Sequence, residues 1–444
     1  MAISIVEKRR LDMRLEIESI DIQAVRPGTH TGVSDHVLYI NLKELEEIIL
    51  RDERILSVEL NVTSPGEPVR IVNVVDVIQP RCKLGHEKED FPGYLGKLVI
   101  AGQGKTRSLR GIAVVLSNSF SKRLYSSVID MFGLGADRGI YGKMQNLVIH
   151  PIPAEGVEER AFETALKVAG LKIAVYLARS SVGTSPDQVE IFDLDIPLVL
   201  SQNRGSLPRI VYYYQIHTPQ HDYKGIGDPM LYGRDVTDLM PTLLHPNEIL
   251  DGALVSTHTI RKMETYSIQN HPLILELYKR HGKELWFAGT VIGVATVDPI
   301  QRQRMANMVG NLIANYLGAD GAILTKVHGG MPHVDISMVG EACEALGVKT
   351  TVFVNFGHSV GTRSDSLLFD TEVLNAVVNL GQTLERIGLP RPGDLKILGG
   401  TSETLVYNPE FKQKAGDPVL EVEGMFLAGL YNHLGGAKII ACEY

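Results

Sequence analysis

From Leu285 to Phe356 the chain alternates unbroken apolar runs with amphipathic stretches, so its apolar period switches repeatedly between that of a buried strand and that of a helix. Leu285–Thr296 reads as a strand. Asp298 then caps a helix that Pro299 opens and Gly318 stops, with Met305, Met308, Val309, Leu312, Ile313 and Tyr316 on one apolar face. Ala322–Val327 is the next strand, Ser337–Leu346 the next helix and Thr350–Phe356 the strand after it. Strands joined through helices at this spacing form a parallel, doubly wound sheet. Ligands of such sheets sit beyond the carboxyl ends of the strands. Two loops are selected by that rule, one running from His328 through Gly329 and Gly330 to His333 and Asp335, the other containing His358. An earlier strand, Ile210–Ile216, leads in the same way to His217, His221 and Asp222.

Imidazole and carboxylate groups gathered at such loops suit a divalent metal such as Zn²⁺, or proton transfer near neutral pH. His328, His333 and Asp335 form the expected ligand set and His358 is a catalytic candidate, all four standing as metal ligands or substrate anchors. Against this stands the plain count. A chain with 14 histidines places some of them close together by chance, and the H-x4-H-x-D spacing is not a specific metal signature.

The first half has a different pattern. Leu11, Met13, Leu15 and Ile17 alternate with Asp12, Arg14, Glu16 and Glu18, and Leu56, Val58, Leu60 and Val62 alternate likewise, as half-buried strands do. Leu42, Leu45, Ile48 and Ile49 mark a short amphipathic helix, and a longer helix is expected from about Glu158 to Ala178. Gly, Pro, Ser and Asn then cluster at both ends of the segment 181–206. The expected fold is α/β in two domains: a β-rich α/β domain over 1–205, and a doubly wound, mostly parallel α/β domain over 206–444.

With 444 residues, 44% apolar and 22% charged, the chain has length enough for two cores. A net charge of −8 offers no basic surface to nucleic acid or anionic lipid. No apolar run approaches membrane-spanning length, and no apolar segment follows the basic residues near Met1, so a soluble, cytoplasmic protein is expected. The three cysteines, Cys82, Cys343 and Cys442, are widely spaced and read as structural.

Two tempting motifs carry less than they promise. Gly102-Gln103-Gly104-Lys105-Thr106 looks like the end of a phosphate-binding loop, but Val99 stands where its first glycine belongs, and a turn is expected instead. Tyr212, Tyr213 and Tyr214 fall in one strand, so at most two share a face, and core packing is their expected use.

The block from Met240 to Lys262, MPTLLHPNEILDGALVSTHTIRK, followed by HPLILELYKRHGKELWFAGT from His271, resembles the substrate-binding component B of the clostridial glycine, sarcosine and betaine reductases. The resemblance extends to LPRIVYYYQIHTPQHDY, DGAILTKVHGGMPHVDIS and, in the first half, MRLEIESIDI, FPGYLGKLVIAGQGKTRSLRGIAVV and ALKVAGLKIAVYLA. It implies reductive cleavage of a C–N bond in a small amine, within a hetero-oligomer whose second subunit carries a redox-active cysteine or selenocysteine. It further implies substrate-binding positions at His221, Asp222, Glu248 and Asp251, with Gly252 beside them. In that family the chain is cut at an Asn-Cys bond, and the new terminal Cys becomes a pyruvoyl group.

Here the pair at that place is His258-Thr259. A thiol attacks the preceding carbonyl and then departs from the β-carbon far more readily than a secondary alcohol does. No pyruvoyl group is therefore expected, and Thr259 stands as a vestigial or alternative nucleophile with His258 beside it as an acid–base group or a ligand. A second function stays open: a diverged enzyme on the same scaffold that hydrolyses or eliminates at a C–N bond with its histidines and a metal. A third is a noncatalytic binding subunit.

Overall fold

The computed structural model describes residues 13–85, 88–118, 127–194, 206–216, 230–237, 239–256, 263–296, 298–326, 331–356, 371–382, 386–390, 395–400, 419–430 and 434. The expected mixed α/β fold is what they form.

The first half builds two main sheets. Strand Leu15–Asp21 lies between the antiparallel Gln188–Phe192 and the parallel Gly104–Arg110, which in turn pairs with Arg81–Leu84. The second sheet takes Ile55–Thr63, Gln145–Pro153, Ile112–Ser117, Val69–Ile78 and Ser127–Asp130 in that spatial order. Helix Glu159–Arg179 covers it, burying Phe162, Leu166 and Ile173 against Ile112, Leu147 and Ile149, together with Leu45 and Ile49 of helix Leu42–Ile49. Each such side chain contributes about 1.5–3 kcal/mol by leaving water. Gly170 sets the closeness of this packing, because a Cβ there would come within 2.6 Å of the Leu116 methyls.

In the second half, Arg209–Ile216, Trp286–Val294, Gly321–Thr325, Lys349–Phe356 and Ala376–Gln382 pair in parallel, with Thr242–Leu244 antiparallel at one edge. Numbered along the chain, the five parallel strands run 2-1-3-4-5 across the sheet. Both faces are covered, as a parallel sheet requires. Tyr212, Tyr214 and Ile292 face Ile274, Leu277 and also Leu15 and Phe192 of the first half, whereas Val211, Tyr213 and Leu324 face Val309, Ile313 and Val339. The tyrosine run behaves as strand geometry demands: the Tyr212 and Tyr214 rings stack 5.8 Å apart while Tyr213 points the other way.

Asp298 caps its helix as expected, accepting from Ile300 and Gln301 N–H, and Pro299 opens it. The following helix departs from expectation. It spans Met331–Ala345, beginning ahead of Ser337, so His333 and Asp335 stand in helical turns rather than in a loop. Pro332, whose fixed φ suits a first turn, and the neutralisation of Asp335 described below account for the earlier start.

The chain also returns to its first half. Strand Lys396–Leu398 adds in parallel to Val69–Ile78, and the pair Arg386–Pro390 and Val419–Glu423 packs Ile387, Leu389 and Val422 against Val72 and Val128. The fully buried Arg70–Asp130 ion pair fixes this return, since Arg70 also donates to the Pro390 carbonyl at 2.8 Å.

Candidate functional site

Asp251 ends the short helix Pro246–Leu250 and reaches across to the first half of the chain. Its carboxylate accepts from Thr106 Oγ1 at 2.6 Å, Lys83 Nζ at 2.7 Å and the Gly102 N–H at 2.8 Å. Lys83 spends its other hydrogens on the Gln103 carbonyl and Thr106 Oγ1. Glu248, one turn earlier, is the carboxylate of a capping box, accepting from His245 N–H at 2.7 Å. It also accepts from the Tyr232 hydroxyl, whose oxygen takes the Ala101 N–H at 3.2 Å. Burial raises the Glu248 carboxyl above the usual range, the largest cause, opposed by those hydrogen bonds.

Glu248 and Asp251 thus hold one loop, residues 99–106, from two sides. That loop is the motif that resembled a phosphate cradle, and its glycines have another use. Gly102 has φ +90°, and a Cβ there would lie 2.8 Å from the Asn247 backbone, so the turn closes onto the helix start only with glycine. A strand follows Gly104 where a phosphate-binding loop needs a helix. Between the loop, Arg14, Glu16, Lys83 and Asp251 opens a cavity of about 760 Å³.

Five residues beyond Asp251, Ser256 is pinned by a second buried cluster. Lys167, on the long helix, donates to the Ser256 carbonyl and lies 3.1 Å from Asp76 Oδ2. Asp76 also accepts from Thr265 N–H at 2.8 Å and Thr265 Oγ1–H at 2.7 Å, and Thr265 Oγ1 accepts the Ser256 N–H at 3.0 Å. Glu264, buried beside this cluster and 3.2 Å from the Tyr141 hydroxyl, has its carboxyl pushed up by burial.

The third region is the carboxyl edge of the parallel sheet. The strand order reverses between Arg209–Ile216 and Gly321–Thr325, which pair directly with Tyr214 opposite Thr325, so this is the switch point where doubly wound sheets bind ligands. Lys326, almost wholly buried, follows Thr325 here. Beneath it the Tyr212 hydroxyl lies 2.7 Å from Thr325 Oγ1 and 3.0 Å from His271 Nε2, while His271 Nδ1 accepts from Ile274 N–H. Burial pulls His271 down to about 3, so the ring is neutral, with its proton on Nε2. Asp335 accepts from Arg302 and from Thr296 N–H at 3.0 Å, and burial raises its carboxyl despite both. It therefore acts as an anchor for the turn after strand Trp286–Val294. His333 is buried two residues before it.

Of the residues expected from sequence, Glu248, Asp251, His333 and Asp335 are thereby placed. His221, Asp222, His258, Thr259, His328 and His358 lie outside the described residues. Among the described residues no three His, Cys, Asp or Glu side chains converge as metal ligands. Sequence reading missed Lys83, Asp76, Lys167 and Lys326. Lys167 had a signal, as one of two cations, with Lys172, inside the mostly apolar run from Ala165 to Ala178.

The fold and these three regions define a mixed α/β protein in which polar clusters tie a mainly antiparallel scaffold from the first half of the chain to a parallel sheet with a switch-point crevice. Comparison with known proteins carries this to a family. The family model for glycine/sarcosine/betaine reductase component B subunits matches residues 13–433, and the chain belongs to that family. It is 32% identical over 442 residues to the glycine reductase complex component B subunits alpha and beta of Acetoanaerobium sticklandii, covering 97% of this chain and all of that one. It is 33% identical to the sarcosine reductase complex component B subunit alpha of Peptoclostridium acidaminophilum, over 83% of this chain and 86% of that one. The betaine reductase complex component B subunit alpha of the same organism is 32% identical, over 92% of each chain. No solved structure matches. The family places the chain among subunits of multisubunit reductase complexes, and among the described residues no helix is long and apolar enough to cross a membrane.

Proposed function

We propose that this chain is the substrate-binding subunit of a complex that cleaves a C–N bond of a small amine reductively, together with a partner subunit bearing a redox-active cysteine or selenocysteine. One observation supports this above the others: the family match spans residues 13–433, so the scaffold of the whole subunit is kept rather than one domain of it. The two described cysteines are poor redox candidates, which agrees with a thiol supplied by a partner. Cys82 and Cys343 are both buried, and burial pushes the Cys343 thiol up to about 12.

The family's pyruvoyl group would supply a carbonyl to which an amine can condense. The residues at its place do not fit it, because Thr259 offers a secondary alcohol in place of the family's thiol, which attacks and departs far more readily. In this reading the chain stays intact, and the substrate is held by charges and hydrogen bonds alone. The same replacement favours a second reading, hydrolysis or elimination at a C–N bond, with His258 and His358 moving protons. Intact mass under denaturing conditions, on protein purified with its native neighbours, is the test. A single species near 48.8 kDa with a stoichiometric thiol- or selenol-bearing partner is expected. Two fragments meeting at His258 and Thr259 would overturn the intact-chain reading, and the absence of any partner would overturn the complex.

A further inference from the structure

We propose that the outer face of the helix Pro299–Asn311, with its continuation Leu312–Tyr316, is the surface through which two copies of this chain pair about a twofold axis. The inner face of that helix is spent on the parallel sheet, where Ala306, Val309 and Ile313 are buried. The outer face carries two ridges of side chains spaced four positions apart, as helix geometry places them. One ridge is Gln303, Asn307, Asn311 and Asn315, all exposed. Gln303 Nε2 donates to Asn307 Oδ1 at 3.1 Å and Asn315 Nδ2 to Asn311 Oδ1 at 2.8 Å, so the carboxamides stand in two linked pairs. The other ridge is Ile300, Arg304, Met308, Leu312 and Tyr316, in which Ile300 is 72% and Tyr316 65% exposed.

Neither ridge is explained by the helix itself. Asparagine is among the poorer helix formers, because its side chain competes for the backbone, and three asparagines stand here where Lys or Glu would serve better. Two other helices do carry charge on their exposed sides, Lys43, Glu46 and Glu47 on Leu42–Ile49, and Lys279 and Arg280 on Pro272–Arg280. Along 299–316 the single exposed charge is Arg304. Scarcity of charge beside exposed apolar side chains is the mark of an interface centre.

Self-complementarity selects a second copy as the occupant. A carboxamide offers donors and acceptors alike, so a row of them meets the same row run backwards without the repulsion that a row of like charges would meet. With the axis through Met308, that residue faces its own copy, Ile300 faces Tyr316 across the axis, and Arg304 lays its methylene stem on Leu312. A shallow crossing of about 20° keeps both ends in contact. The two Arg304 side chains then stand about 12 Å apart along the helix, a spacing at which salt screens them. The face is widened by its neighbour. Gly310 lets helix Met331–Ala345 come close, since a Cβ there would lie 3.1 Å from the Ala342 Cβ, and one turn on from Ala342 the Leu346 side chain is 49% exposed.

The test is sedimentation equilibrium of the full-length chain, with circular dichroism as the check on folding. The native chain should run at twice its 48.8 kDa. Met308→Glu sets two carboxylates face to face on the axis and should weaken the dimer at least about tenfold, with the spectrum unchanged. Met308→Cys should cross-link to its copy through a short bismaleimide, whereas Ile300→Cys should not, because it stands about 24 Å from its copy. The native chain, with its own three cysteines, is the control. A monomeric native chain, or Ile300→Cys cross-linking as readily as Met308→Cys, would overturn the proposal. A Met308→Glu chain that keeps its dimer and instead loses the partner subunit from the purified complex would also overturn it, and would give this face to the partner.

Discussion

The Lys83 ammonium stands 2.7 Å from the Asp251 carboxylate, in a pair whose side chains are 8% and 2% exposed and whose members lie 168 residues apart. It joins the end of a helix in the second half of the chain to a strand of the first. Removing one partner leaves a buried charge without compensation, at a cost of about 3–5 kcal/mol. Asp251→Ala should therefore lower the urea midpoint markedly, and the double variant Lys83→Met with Asp251→Leu should recover most of the loss. A double variant no better than the single would show that the pair does more than balance charge.

Stability should fall on mild acidification because of His271. Its folded-state value of about 3 lies below the ordinary value of about 6.5. Above the ordinary value both folded and unfolded states are neutral, and the stability is complete. Between the two values the unfolded chain takes up a proton that the folded chain refuses, so stability declines with falling pH, by about 2 kcal/mol at pH 5. Urea melts at pH 7.5 and about pH 5 should show the native chain losing about 2 kcal/mol more than His271→Gln, since the raised carboxyls of Glu248, Glu264 and Asp335 contribute alike to both.

Gly102→Ala should damage the cavity without touching a charge. The left-handed φ costs an alanine about 1–2 kcal/mol, and its Cβ would meet the Asn247 backbone at 2.8 Å. A lower thermal midpoint is expected, whereas Gly104→Ala, at a site with φ +68° but open space, should cost only the backbone term.

Lys167→Met should release the Ser256 carbonyl, and hydrogen exchange is the readout. The Ser256 amide is bonded to Thr265 Oγ1 and the Thr265 amide to Asp76, so both should exchange at least about tenfold faster, while amides of strand Arg209–Ile216 keep their protection. Equal acceleration everywhere would mean that the variant merely weakens the whole fold.

The parallel sheet was legible because its signals are local: apolar runs, an Asp298–Pro299 start and a Gly318 stop. The start of the helix at Met331 was not, because the two glycines and two histidines around it read as a loop, and nothing local shows that Arg302 from the preceding helix neutralises Asp335. The return of Lys396–Leu398 to Val69–Ile78 was hidden for the same reason, since pairing over such separation leaves no period in either segment. At the site, Glu248 and Asp251 emerged from family resemblance alone. Their partners Tyr232, Lys83 and Thr106 became visible only once the loop 99–106 was folded against them.

Reductive cleavage needs an electron donor and hydrolysis does not, so the dependence of amine release on reductant tests the central claim most directly. The chain, purified with its partner subunit, would be given ¹⁵N-labelled glycine with and without a dithiol, with sarcosine and betaine as parallel substrates. The account predicts that labelled ammonia or the corresponding amine appears only with dithiol and in equal amount to the dithiol oxidised. Release at the same rate without dithiol would contradict it and give the chemistry to the histidines.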